Sequence, residues 1–192
     1  MIPSCQEIFY RVFGAWLLAR LDATGAQYFD ESPQAALRSF FAALLVAPAV
    51  TVTVLFAHGE VPPVGALAVI VVTLLCYCLL WTAYPLIAYR VCQTIDREQA
   101  FYRYLSAHNW SNVIADHFQL VVIILMVGLV PEALMPLVEL ALWACLLAYA
   151  WFVARSCLKV SGMAAAGFVV LQAVVGLFIN IIAVGILYPS VP

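Results

Sequence analysis

The chain has 192 residues, of which 67% are hydrophobic and 9% charged, and eight Lys and Arg against ten Asp and Glu leave a formal net charge of −2. Soluble domains carry about 25% charged residues, so this composition, with a mean hydropathy of +1.07, excludes a water-soluble globule. The basic residues are scattered, which also excludes the dense basic patch that nucleic-acid binding requires.

Residues 1–32 place Ile8, Phe9, Val12, Phe13, Trp16 and Leu17 on one helical face, the periodicity of an amphipathic helix. With Trp in the stripe and Arg11 and Arg20 beside it, the segment is expected to lie in the cytoplasmic membrane interface or to pack across the cytoplasmic mouth of a helix bundle. The stretch lacks a basic n-region before its apolar part and carries Glu7 and Arg11 within it, which argues against a cleavable signal peptide. Ser32 followed by Pro33 is an N-cap and first-turn pair, so a single transmembrane domain is expected over residues 33–192.

A transmembrane helix needs roughly 20 apolar residues, and five stretches qualify, at about 39–57, 64–89, 110–130, 133–154 and 162–188. The expected fold is therefore an all-α, polytopic integral membrane bundle of five transmembrane helices with interfacial amphipathic helices. Pro48 within the first span and Pro85 within the second are kink candidates. HGEVPP after the first span is a short, turn-rich loop. Trp81, Tyr84 and Tyr89 fall where an aromatic belt is expected. VPEALMP is too short to join the third and fourth spans as anything but antiparallel neighbours.

Arg11, Arg20 and Arg38 precede the first span, Arg90, Arg97 and Arg103 lie between the second and third, and Arg155 and Lys159 between the fourth and fifth. The other loops and the tail carry no Lys or Arg. Short basic loops stay cytoplasmic, so the N-terminus is expected inside and Pro192 outside, an arrangement that suits a bacterial cytoplasmic (inner) membrane. Cys5, Cys92 and Cys157 fall near the cytoplasmic side and Cys76, Cys78 and Cys145 within spans, without disulfide or metal spacing.

Asp96 to Ala107 interleaves Phe101, Tyr102, Tyr104 and Leu105 with Arg97, Glu98 and Arg103, the pattern of a short amphipathic helix at the interface. Beyond it, Asn109, Asn112, Asp116 and Gln119 share one face of the third span. With about 1.5 Å of rise per residue from Trp110, Asp116 lies roughly 9 Å inside and Gln119 near the midplane. Ionisable groups at that depth face the bundle interior or water. One reading is a relay for a proton or solute, with Asp116 as carrier and His117 or His108 at its mouth. The other is a hydrogen-bonded seam in which Arg155, Lys159 or Arg103 pairs with Asp116. Matching depths also suggest an outer-half pair, Glu139 with Asn180, and a midplane pair, Gln119 with Gln172. In the fifth span Gly162, Ala166, Ala173 and Gly176 form a small-residue stripe along which another helix can approach closely.

Signs of catalysis are lacking. Asp116 and His117 diverge by about 100° on a helix, and neither HExxH, a G-x-S-x-G elbow nor a phosphate-cradling glycine loop occurs. No enzyme activity, metal or cofactor is expected. The five-span arrangement and the closing span VSGMAAAGFVVLQAVVGLF resemble the Yip1-type family of small membrane proteins; AYP at Ala83 to Pro85 echoes that family's aromatic-proline signals, while its DLYGP-like motif is missing. The resemblance implies membrane organisation or partner binding rather than catalysis. Two functions follow as expectations: a non-enzymatic accessory, scaffold or membrane-organising subunit bound to a protein partner or to further copies of itself, or a small transporter or channel using the polar stripe.

Overall fold

The computed structural model describes residues 2–57 and 63–189, all helix, turn or loop, with no strand among them. The helices are α1 (Cys5–Ala19), α2 (Pro33–Ser39), α3 (Phe41–Ala57), α4 (Ala66–Thr94), α5 (Glu98–Leu129), α6 (Met135–Leu158) and α7 (Gly162–Leu187). Five stretches are long and apolar enough to cross a membrane: α2 with most of α3, then α4, α5, α6 with the short turn before it, and α7. The five expected spans are thus present, and the chain is a membrane-embedded helix bundle. The HGEVPP loop and Pro192 lie largely or wholly outside the described residues.

Local signals set the helix starts. Ser4, Ser32 and Ser161 cap α1, α2 and α7, each side chain accepting from the backbone amide three residues on. Pro33 occupies the first turn of α2, where its missing N–H leaves no bond unmade. α6 ends on Lys159 in the left-handed conformation (φ 53°), a cap that reverses the chain into α7 within a few residues.

α5 is the axis of the bundle. It packs against α1, α2 and α3 on one side and α6 on another, touches α4 more lightly, and α7 closes the far side by packing on α4 and α6. Residues 98–109 are not a separate surface helix: they begin α5, and Phe101, Tyr104, Leu105 and the whole run Ser106 to Ser111 are buried. Neither proline nor glycine occurs in α5 before Gly128, so nothing breaks the helix between its polar start and its apolar end. Its 32 residues make it about 48 Å long, more than the roughly 30 Å of hydrocarbon that a span has to cross.

The N-terminal segment packs across the basic end of the bundle. α1 turns through a 3-10 helix (Ala23–Tyr28) that crosses it so closely that only glycine fits at the contact. A Cβ on Gly25 would lie 2.5 Å from the Gly14 carbonyl oxygen, and one on Gly14 would lie 2.4 Å from the Tyr28 Cβ. The buried Arg11 guanidinium donates to the Tyr28 carbonyl and to Asp30. Glu7 faces Arg38 at 3.5 Å, and Arg103 of α5 donates to the Phe29 carbonyl and pairs with Glu31 at 2.8 Å. Tyr149 of α6 donates to the Ala15 carbonyl at 2.8 Å. Elsewhere on α1, Phe9 and Trp16 stay exposed.

Candidate functional site

Two adjoining spaces open beside α5 below this packed end. The smaller, about 200 Å³, lies among α3, α4, α5 and α7 and is lined by Tyr77, Trp81, Tyr84, His108, Asn112 and Asp116, with apolar residues of α3 and Gln172 of α7. The larger, about 730 Å³, is a groove between α5, α6 and α7 whose polar lining is His108, Ser111, Asn112, Asp116, Gln119, Gln172 and Asn180. Leu80, His108, Asn112, Asp116 and Gln172 line both. The two spaces therefore share one polar wall, made by α5 with one glutamine of α7.

The helical repeat explains the wall. Residues 108, 112 and 116 are each four apart and stack on one face, and Gln119 continues the row. Asn109 is rotated by about 100° from His108; it is buried and donates to the Ser39 hydroxyl of α2 at 2.8 Å. The expected row of Asn109, Asn112, Asp116 and Gln119 thus divides, with Asn109 in a satisfied contact and the other three on the cleft. His108 takes its place, under the Tyr84 ring (centroids 5.0 Å) and beside Tyr104 (5.7 Å). The hydroxyls of Tyr84 and Tyr104 hydrogen-bond each other, and Tyr84 reaches the Phe168 carbonyl of α7 at 3.4 Å. This aromatic cluster roofs the cleft beneath the basic end.

Asp116 lines both spaces and takes part in none of the ion pairs among the described residues. Two of the three basic residues expected to reach it are committed elsewhere, Arg103 to Glu31 and the Phe29 carbonyl and Arg155 to the face of Trp151 at 5.1 Å, and Lys159 takes part in no ion pair among the described residues. Arg103 and Arg155 both lie near helix ends on the basic side. His117, next in the chain, is exposed and bonds the Val113 carbonyl at 2.8 Å. The Ser111 hydroxyl, buried on the cleft wall, has no hydrogen-bond partner among the described residues.

The paired residues expected across helices do not bond. Gln119 and Gln172 both line the groove, and no hydrogen bond joins them among the described residues. Asn180 lines the groove, but Glu139 is exposed on α6, one turn beyond Trp143, the last α6 residue on the cleft. Matched depth fixes height along two helices and leaves their facing undetermined.

The small-residue stripe of α7 also serves the cleft more than a helix contact. Gly162 sits against Trp151, where a Cβ would lie 3.2 Å from the indole, and Trp151 Nε1 donates to the Gly162 carbonyl at 2.8 Å. Ala166 is exposed. Ala173 and Gly176 line the groove, so their lack of bulk leaves it open. Among the described residues no three His, Cys, Asp or Glu side chains gather as a metal site, and all six cysteines are free. Comparisons with family models, curated proteins and solved structures found no match.

Proposed function

We propose that this chain is a non-enzymatic integral membrane protein that binds a small polar solute, or a proton, in the cleft beside α5 and moves it as a small transporter or channel. One observation carries the reading: Asp116 stands inside a span, on the wall shared by both spaces, without an ion-pair partner. An intramembrane carboxylate is costly and is kept where it faces a pathway or a partner. A structural seam leaves its polar groups bonded, as Asn109 is to Ser39; Asp116 faces open space instead. The one-sided distribution of Lys and Arg supports a cytoplasmic N-terminus and an outside C-terminus, in a bacterial cytoplasmic membrane.

The outward aromatic face of α1, with Phe9 and Trp16 exposed, favours a second reading. There the N-terminal segment and the start of α5 present a surface for a protein partner or another copy of the chain, and the Yip1-type resemblance points to such a membrane-organising role.

Proteoliposomes separate the two. Proton flux and uptake of small polar solutes should be measured beside the Asp116→Asn variant. Transport that the variant loses, with its thermal unfolding unchanged, supports the first reading. No flux of any solute, together with purification from native membranes in a stoichiometric complex, transfers the function to the second.

A further inference from the structure

The smaller cavity has a more specific chemistry than its polarity alone. Its α4 wall is aromatic: Tyr77, Trp81 and Tyr84 all line it, with the Tyr77 and Trp81 rings 6.0 Å apart. Both tyrosine hydroxyls are already engaged, Tyr77 donating to the Ala43 carbonyl at 2.6 Å and Tyr84 bonding Tyr104. What these residues can offer a ligand is therefore aromatic surface rather than free hydroxyls. Asp116 and Asn112 of α5 line the same cavity.

A carboxylate and a set of aromatic rings lining one cavity can hold an organic cation, through the ring quadrupole and one counter-charge. Other ligand classes fit less well. An anion would meet Asp116 with neither Lys nor Arg on the lining. A hard metal cation asks for six or more oxygen ligands, whereas one carboxylate and two side-chain amides are offered. A neutral polar solute leaves the carboxylate uncompensated. The volume of about 200 Å³ exceeds the roughly 150 Å³ of a cavity that takes benzene, so a small alkylammonium group fits.

Building on the solute-binding reading above, we propose that the cavity between α4 and α5 binds a small organic ammonium group, with Asp116 as counter-charge and Tyr77, Trp81 and Tyr84 as its aromatic walls. The ammonium belongs to a free amine or to a lipid headgroup.

The test is calorimetric titration of the purified protein in phosphatidylglycerol nanodiscs with tetramethylammonium, and with tert-butanol as a neutral molecule of similar size. Saturable binding of tetramethylammonium and none of tert-butanol is expected, weakened at least about tenfold by Asp116→Asn and by Trp81→Leu. Trp81→Phe should recover part of the loss, with all variants unfolding at the wild-type temperature. Repeating the titration in phosphatidylcholine nanodiscs identifies the source: lost binding means that the headgroup already fills the site, and retained binding means a free amine. Equal binding of tert-butanol, or undiminished binding by the folded Asp116→Asn variant, overturns the proposal. If tetramethylammonium does not bind while Asp116-dependent proton or neutral-solute flux persists, the ammonium assignment falls and the transport reading stands. If neither binding nor flux is found, both fall.

Discussion

The two halves of the bundle are built differently. At the basic end nearly every helix contributes fully buried side chains: Leu18 of α1, Ala88 and Cys92 of α4, Trp110 of α5, Val153, Cys157 and Leu158 of α6, and Ala165 of α7. Toward the other end burial thins to Val72, Met126, Leu142, Ile179 and Leu187, while leucines and isoleucines such as Leu67, Leu74, Leu137, Leu140 and Ile181 are exposed. The difference shows where water acts. Wherever the packed end meets water, apolar burial gains about 25 cal/mol per Å². Within the bilayer, lipid tails are as apolar as leucine and give helices no such drive to close. The cleft lies at the junction, roofed by the packed half and left open by the other.

Variants at the glycine crossing should break this contrast most strongly. Gly25→Ala brings a methyl into the backbone of α1, and overpacking of that kind costs about 1–3 kcal/mol. The expected result is a clearly lowered unfolding temperature in detergent and easier proteolysis of the N-terminal segment. Arg11→Leu comes next, because it leaves the Tyr28 carbonyl without its donor, at about 1–3 kcal/mol. Arg11→Lys should recover only part of this, since an ammonium cannot reproduce the two-pronged contact.

Asn109→Ala against Asp116→Asn sharpens the comparison within one helix. The first removes a buried bond to Ser39 and should lower stability by about 1 kcal/mol. The second alters a group facing the cleft and should leave the unfolding temperature within error while changing ligand binding. Lys159→Gly should stabilise by up to about 1 kcal/mol, by relieving a left-handed residue at the end of α6.

The smallest effect concerns acid. The Thr24 hydroxyl and amide hold the exposed Asp22 carboxyl below its ordinary value of 3.8. Because the folded state lowers this pKa, its contribution is present above about pH 4 and is lost as pH falls through the folded value. Asp22→Asn should remove that acid-side slope, read from unfolding curves between pH 3 and 5.

The spans and the Ser32 cap are legible in the sequence because apolar length and N-cap chemistry are local properties. The polar wall is legible only in part. Helical spacing alone allows either 109 or 108 to join residues 112, 116 and 119, and the choice depends on which helices surround α5. The aromatic side of the small cavity is harder to read, because Trp81 and Tyr84 fit an interfacial belt equally well until α4 is set against α5. Likewise, Arg103 could be paired with Asp116 on paper; only the folded N-terminal segment, which brings Glu31 and the Phe29 carbonyl to it, settles where it goes.

The most direct measurement is thiol accessibility in a cysteine-free background reconstituted in lipid, using a membrane-impermeant, trimethylammonium-bearing thiol reagent. Asn112→Cys and Gln172→Cys on the cleft wall should react, whereas Val170→Cys, exposed on the outer face of α7, should not. Reaction at neither cleft position, with a cysteine placed at Glu7 reacting readily, would mean that solute does not enter beside α5 and would contradict the account.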